Sequence, residues 1–209
     1  MASSASPSSG KLVALQIACG SSHTLCLLGK TADGPREDTV VLSWGQGEDG
    51  QLGHGDVDER HQPTVVQQIS GSTGHHISFV CCGAEHSVAM SATMKRTYSW
   101  GDGDFGRLGN GELSGLFLPS PVKSLTDLQI KKIVCGDSHC MAIPEGHGIW
   151  SWGRNHVGEL GLGHTNDALA PVKIAYFEGK VVRDVACGAE HTVAVLESGE
   201  VFSWGWGTY

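Results

Sequence analysis

The sequence predicts an all-β fold: a partial, open β-propeller of four-stranded blades, with about three complete blades and part of another. Three observations carry this reading. The phrase Ser-Trp-Gly recurs and places Trp44, Trp100, Trp152 and Trp204 at intervals of 56, 52 and 52 residues. A fixed period of this size marks a repeat architecture. Before each phrase stands a Gly-x-x-His turn, ending at His23, His86, His139 and His191. Glycine is abundant, 30 of 209 residues, with no collagen period, which points to many tight turns between short strands.

Residues 1–10 are rich in Ser and Ala, with no Arg and no apolar run. They read as a disordered tail rather than a targeting segment, ahead of a repeat region over 11–209. Residues 12–19 are mostly apolar and are expected to form a strand buried on both faces. Gly20-Ser21-Ser22-His23 then turns the chain, and 24–28 is the return strand. The same order of events recurs over 77–90 around Gly83, over 130–143 around Gly136 and over 181–196 around Gly188. A short apolar run, a glycine-bearing turn and a second apolar run form a hairpin signature. A third strand ends on each Ser-Trp-Gly, at 40–44 in the first unit and 200–204 in the last. In the first unit Asp33-Gly34-Pro35 lengthens the connection into a surface loop. After each glycine-rich loop a fourth, outer strand is expected to start at a proline, Pro63, Pro121 and Pro171, since an edge tolerates a missing N–H. Helical periodicity is nowhere sustained. Propellers close with about four to eight blades. At about 52 residues per unit, seven blades require about 360 residues. The chain is therefore expected to be a fragment, a truncated product or a partner in an assembly, with an open apolar flank on its last blade.

Several function classes are set aside. A net charge of −8 argues against nucleic-acid binding through a general basic surface. Seven cysteines, an odd number with no Cys-x-x-Cys spacing, fit a reducing compartment. No apolar run approaches the roughly 20 residues that span a bilayer. No Gly-x-Ser-x-Gly, His-Glu-x-x-His or Lys-bearing phosphate loop occurs, so no catalytic residue and no cofactor is expected. The glycines after each Trp serve turns of positive φ rather than a phosphate cradle, because no helix follows them. Cys and His stand four apart in every unit, at Cys19/His23, Cys82/His86, Cys135/His139 and Cys187/His191. One Cys and one His per unit is not a four-ligand cluster, so no metal is assigned, and each His is expected to bond a neighbouring backbone. The recurring Trp is read as a wedge between blades. The residues that differ between repeats decorate the rim and read either as a solvated charged surface or as an electrostatic protein–protein face: Glu48 and Asp49 in the first loop, Asp102 and Asp104 in the second, Arg154 in the third, with Glu85, Asp137 and Glu190 in the turns.

Gly-x-x-His, Trp-Gly-x-Gly, Leu-Gly-x-Gly and the later proline recur in that order from about Leu12 onward, a pattern that resembles the RCC1 repeat family. The phrases Gly47-Glu48-Asp49-Gly50-Gln51-Leu52-Gly53, Asp104-Phe105-Gly106-Arg107-Leu108-Gly109 and Gly205-Trp206-Gly207 are similar to its ultraviolet-B photoreceptor branch. The resemblance implies a seven-bladed propeller, a loop rim that binds proteins, a salt-bridged homodimer, a ubiquitin-ligase partner, and a cytoplasmic and nuclear location. By position it implies that Glu48, Asp49 and Asp104 are acidic interface residues, that Arg154 and Glu190 are a basic–acidic pair, and that Trp44, Trp206 and Tyr209 are rim aromatics. The chain departs from that branch at Asp102, Gly115 and Thr208, and it contains no Gly-Trp-Arg-His turn, the source of the sensing tryptophans. The expectation is a non-enzymatic interaction module without an autonomous light response. The alternative, by analogy with the founding member, is a guanine-nucleotide exchange factor for a small GTPase.

Overall fold

The computed structural model describes residues 11–30, 39–70 and 73–207; the tail 1–10, the Asp33-Gly34-Pro35 loop and Tyr209 lie outside the described residues. The described strands form four antiparallel sheets, each made of strands consecutive in the chain. The first holds β1 (Leu12–Cys19), β2 (His23–Lys30), β3 (Val40–Gly45) and β4 (Arg60–Val65). The second holds β5 (Phe79–Cys82), β6 (His86–Ser91), β7 (Arg96–Gly101) and β8 (Leu116–Pro121). The third holds β9 (Ile130–Cys135), β10 (His139–Pro144), β11 (Trp150–Gly153) and β12 (Ala168–Lys173). The last holds β13 (Val182–Cys187), β14 (His191–Leu196) and β15 (Val201–Gly205). Helical structure among the described residues is limited to short 3-10 turns, and no helix is long and apolar enough to cross a membrane.

The sheets stand as blades in an unclosed arc. β1 packs beside β5, β5 beside β9 and β9 beside β13, so the first strand of every blade lies innermost. The second strands carry the core: β6 is buried at every position, because blades press on it from both sides. Leu25, Leu27, Val41, Val80, Ala89 and Trp100 fill the seam between blades one and two. Ile133, Met141, Trp152, Val185 and Ala194 continue the core across the next two.

Two expectations on strands are corrected. β1 is not buried on both faces: Ile17 is 61% exposed, although its repeat equivalents Val80, Ile133 and Val185 are buried. Those three face a preceding blade, and Ile17 has none in the described chain. Nor do the fourth strands start at proline. Pro63, Pro119 and Pro171 each occupy the fourth position of β4, β8 and β12, so Pro119, not Pro121, is the repeat proline of the second blade. Each falls where the pairing with the third strand slips, between Ser43 and Gly45, Ser99 and Gly101, and Ser151 and Gly153. A bulge on an edge strand is where a missing N–H costs least.

On the last blade Val201 of β15 is 66% exposed, and Tyr176, in the turn between β12 and β13, is 58% exposed.

Candidate interaction face

Antiparallel reversal places the Gly-x-x-His turns and the Trp-Gly loops at the same end of every blade, because His23 pairs with Gly45, His86 with Gly101, His139 with Gly153 and His191 with Gly205. The chain leaving each third strand docks on its turn. Gln46 N donates to Ser22 O (2.9 Å), Asp102 N to Glu85 O (3.0 Å), Arg154 N to Ser138 O (3.0 Å) and Trp206 N to Glu190 O (2.9 Å). Gly45 makes this approach possible: its φ is +111°, and a Cβ there would collide with Ser22 O.

The loops are then held by the next blade. Gln51 O accepts the indole N–H of Trp100 (2.8 Å) and the hydroxyl of Ser87 (2.8 Å). Arg107 O accepts from Trp152 Nε1 (3.0 Å), and Glu159 O from Trp204 Nε1 (2.8 Å) and Thr192 Oγ1 (3.0 Å). His23 Nε2 meets Ser87 Oγ at 2.9 Å, and His139 Nε2 meets Thr192 Oγ1 at 3.1 Å. The expectation that each ring bonds a neighbouring backbone is corrected: His23, His86 and His139 each meet a side chain of the following blade, because the ring reaches across the seam. Within each blade Ser43, Ser99 and Ser151 donate to Leu52 O, Leu108 O and Leu160 O, closing the loop on its own strand. Trp100 and Trp152 are fully buried wedges between blades, as the repeat predicts.

On this frame stands the charged rim. Arg107 is almost fully buried, with Nη1 at 2.9 Å from Asp102 Oδ2 and 3.3 Å from Glu85 Oε2. Asp49 lies beside this group. Its partial burial, then the carboxylates of Glu85, Asp102 and Glu48, push its pKa up, against an opposing pull from Arg107. Glu48 and Asp104 are exposed. Two carboxylates, Asp102 and Glu85, thus contact one guanidinium, with Asp49 interacting with all three groups and the exposed Glu48 and Asp104 on the same loops, so this lobe over blades one and two is net negative. Arg154 sits differently: its Nη1 is 3.1 Å from Glu190 Oε1, a pairing across the seam of blades three and four. Phe105 lies between the two cations, its ring centroid 5.6 Å from Arg107 Cζ and 5.0 Å from Arg154 Cζ. Trp206 is 59% exposed and Trp44 half-buried; neither stacks on another ring among the described residues.

The structure therefore gathers Glu48, Asp49 and Asp104 with Glu85 and Asp102, and pairs Arg154 with Glu190. The sequence reading missed Arg107 and Phe105. Their signal was available: at equivalent loop positions the other units carry Gln51 and Glu159, and Asp49 and Val157. It also missed Asn155, where the third loop breaks the Trp-Gly-x-Gly pattern. The Asn155 amide donates to His164 O (2.8 Å) and Asn166 O (2.9 Å), and its oxygen accepts from Leu160 N (3.0 Å). Replacing it by alanine leaves the buried Leu160 N–H without its partner, so Asn155→Ala is expected to cost about 1–3 kcal/mol in urea unfolding.

A repeated four-stranded blade, tied to its neighbour by an indole and an imidazole and carrying charged loops at one end, defines the class as blades of a β-propeller. The chain belongs to the RCC1-like domain family, whose model matches residues 2–209. It is 52% identical over 195 residues to the Ultraviolet-B receptor UVR8 of Arabidopsis thaliana, covering 93% of this chain and 42% of the receptor. It is 36% identical over 170 residues to the E3 ubiquitin-protein ligase HERC2 of Homo sapiens, covering 80% of this chain and 4% of the ligase. Among solved structures, yeast RCC1 (Prp20) bound to Kap60 superposes with a TM-score of 0.76 at 24% identity, over 96% of this chain and 45% of that one. Human WBSCR16 does so with the same score and identity, over 94% and 48%. The chain spans less than half the length of each of these relatives.

Proposed function

We propose that the chain is a non-enzymatic protein-interaction module whose loop face binds an arginine- or lysine-rich surface of another protein. The observation that carries this is the net-negative lobe of Glu48, Asp49, Glu85, Asp102 and Asp104, held on loops that the next blade fixes. Charge of one sign on a rigid rim speeds and orients the encounter with a partner of the other sign. Homodimerisation through the same lobe would set acid against acid, and Arg154 is already occupied by Glu190. A ubiquitin-ligase component that presents a basic patch is a partner of the required chemistry.

An arginine-rich peptide tests the face. Binding is expected to weaken with salt, and Glu48→Gln combined with Asp104→Asn is expected to weaken it several-fold. Affinity untouched by both changes would remove the lobe from the function. The likeness to an ultraviolet-B receptor adds a second arm. Trp44 and Trp206 form no ring cluster among the described residues, so gel filtration is expected to give one apparent size with and without ultraviolet-B. A light-driven change in size would overturn this. The exchange-factor reading rests on the shared fold alone; faster release of labelled GDP from a small GTPase would put it in place of the interaction module.

A further inference from the structure

The seams between blades are near-copies of one another, and one of them departs in a concerted way. Between blades one and two stand His23, Ser87, Cys82 and Ala18; Ser87 Oγ bridges His23 to a loop carbonyl, and Cys82 Sγ lies 3.5 Å from Ala18 O. Between blades three and four the equivalents are His139, Thr192, Cys187 and Val134. Between blades two and three they are His86, Cys140, Cys135 and Cys81. The hydroxyl has become a thiol at Cys140, and the small aliphatic residue has become a thiol at Cys81. Nothing in the blade requires either change, since Ser, Thr, Ala and Val serve at the same positions in the other seams.

Both departures fall in the same seam, and each introduced thiol touches that of Cys135. Cys140 Sγ is 3.1 Å from His86 Nε2 and 3.6 Å from Cys135 Sγ, and Cys81 Sγ is 3.2 Å from Cys135 Sγ. The donor atoms of His86, Cys135 and Cys140 all lie within 4.8 Å of one another. In a tetrahedral site with Zn–S near 2.3 Å and Zn–N near 2.0–2.1 Å, ligand atoms stand about 3.8 Å (S to S) and about 3.6 Å (S to N) apart. An ion held by His86, Cys135 and Cys140 moves the contacting pairs apart by up to about half an ångström; Cys81, which touches Cys135 but lies outside that group of three, turns about its side chain to supply the fourth sulfur. Cys81 and Cys135 also line a cavity of about 330 Å³ along the propeller axis, which gives an entry path.

We propose that the seam between blades two and three is a binding site for a thiophilic d10 cation, Zn2+ or Cu+, held by Cys81, Cys135, Cys140 and His86. Three sulfurs and one imidazole form a soft donor set that selects such ions over Mg2+ or Ca2+. Binding replaces the thiol protons, which leave to the buffer, and it links β5, β6, β9 and β10, so it joins two blades.

The reduced, chelator-treated chain is titrated with Zn2+, and anaerobically with Cu+; Co2+ serves as the spectroscopic probe. The expected result is one ion per chain and, with Co2+, thiolate charge-transfer bands with the d–d bands of a tetrahedral site. Cys140→Ser and Cys81→Ala install residues that the other seams carry, so circular dichroism is expected to stay unchanged. Each is expected to weaken binding by at least about tenfold, and the pair to abolish the charge-transfer bands. Cys19→Ser, in the first blade, is expected to leave binding unchanged. Preference for Zn2+ or for Cu+ names the ion and supports the site in either case. Absence of charge-transfer bands in the unaltered chain, or full uptake by the folded double variant, overturns it. So does recovery of a Cys81–Cys135 disulfide with no uptake after reduction.

Discussion

Trp152→Ala is expected to lower the free energy of unfolding by about 3–5 kcal/mol, the range for a fully buried Trp truncated to alanine. The ring is inaccessible to solvent, its Nε1–H donates to Arg107 O at 3.0 Å, and Gly109 packs against its face. Truncation leaves a cavity between two blades. It also leaves the Arg107 carbonyl, which positions the loop of the acidic lobe, with only the thiol of Cys140 at 3.7 Å. The same change at Trp44 is expected to cost less than half as much. Trp44 is half-buried, and among the described residues no loop of a preceding blade receives its indole N–H. Urea unfolding of both variants makes the comparison. Equal losses would show that the ring stabilises its own blade rather than the seam.

Acid is expected to weaken the fold well above the carboxylate range. Burial lowers the pKa of both His23 and His139 to about 4, with His191 adding a small push at His139. In the unfolded chain each titrates near 6.5. Between pH 6.5 and about 4 the unfolded state therefore binds more protons than the folded one. The contribution is fully present above 6.5 and is lost as pH falls through this window. Each ring gives a slope of up to about 1.4 kcal/mol per pH unit. The mechanism is local: Ser87 Oγ and Thr192 Oγ1 face the two Nε2 atoms, and no carboxylate among the described residues pairs with either ring. Asp184, whose pKa is lowered chiefly by its bond to Lys132, loses its contribution only below the window. Asp49, raised by burial and its acidic neighbours, acts with the opposite sign at the lower end. Urea midpoints at pH 7, 6, 5 and 4 measure the effect; a flat midpoint from 7 to 5 would refute it.

Most of the blade was legible in the chain, because every repeat solves one local problem with the same residues. A Trp must wedge, a His must reach the next sheet, and a glycine must turn at positive φ, so those types recur at fixed spacing. Elements set by neighbours were not legible. The fourth strands were placed too late because a proline reads as a start, whereas the pairing slip that accommodates Pro63, Pro119 and Pro171 exists only between paired strands. The apolar pattern of 12–19 reads as buried; the exposure of Ile17 follows from which blade stands beside it. In the candidate face, the acids were found as departures from the repeat. Arg107 was passed over, because nothing in its own neighbourhood of sequence shows that Glu85, 22 residues away, supplies its second carboxylate.

The sequence by itself determined the all-β class, the four-stranded unit, its approximate length and the end of the blade that carries charge, since these depend on periodicity and turn chemistry within one repeat. Only the tertiary structure decided which departures meet. Cys81, Cys135, Cys140 and His86 come together, and Arg154 finds Glu190, because adjacent blades bring positions 36 to 54 residues apart within hydrogen-bond distance. A period identifies equivalent positions; contact between positions that are not equivalent is fixed by how one sheet is rotated and set against the next.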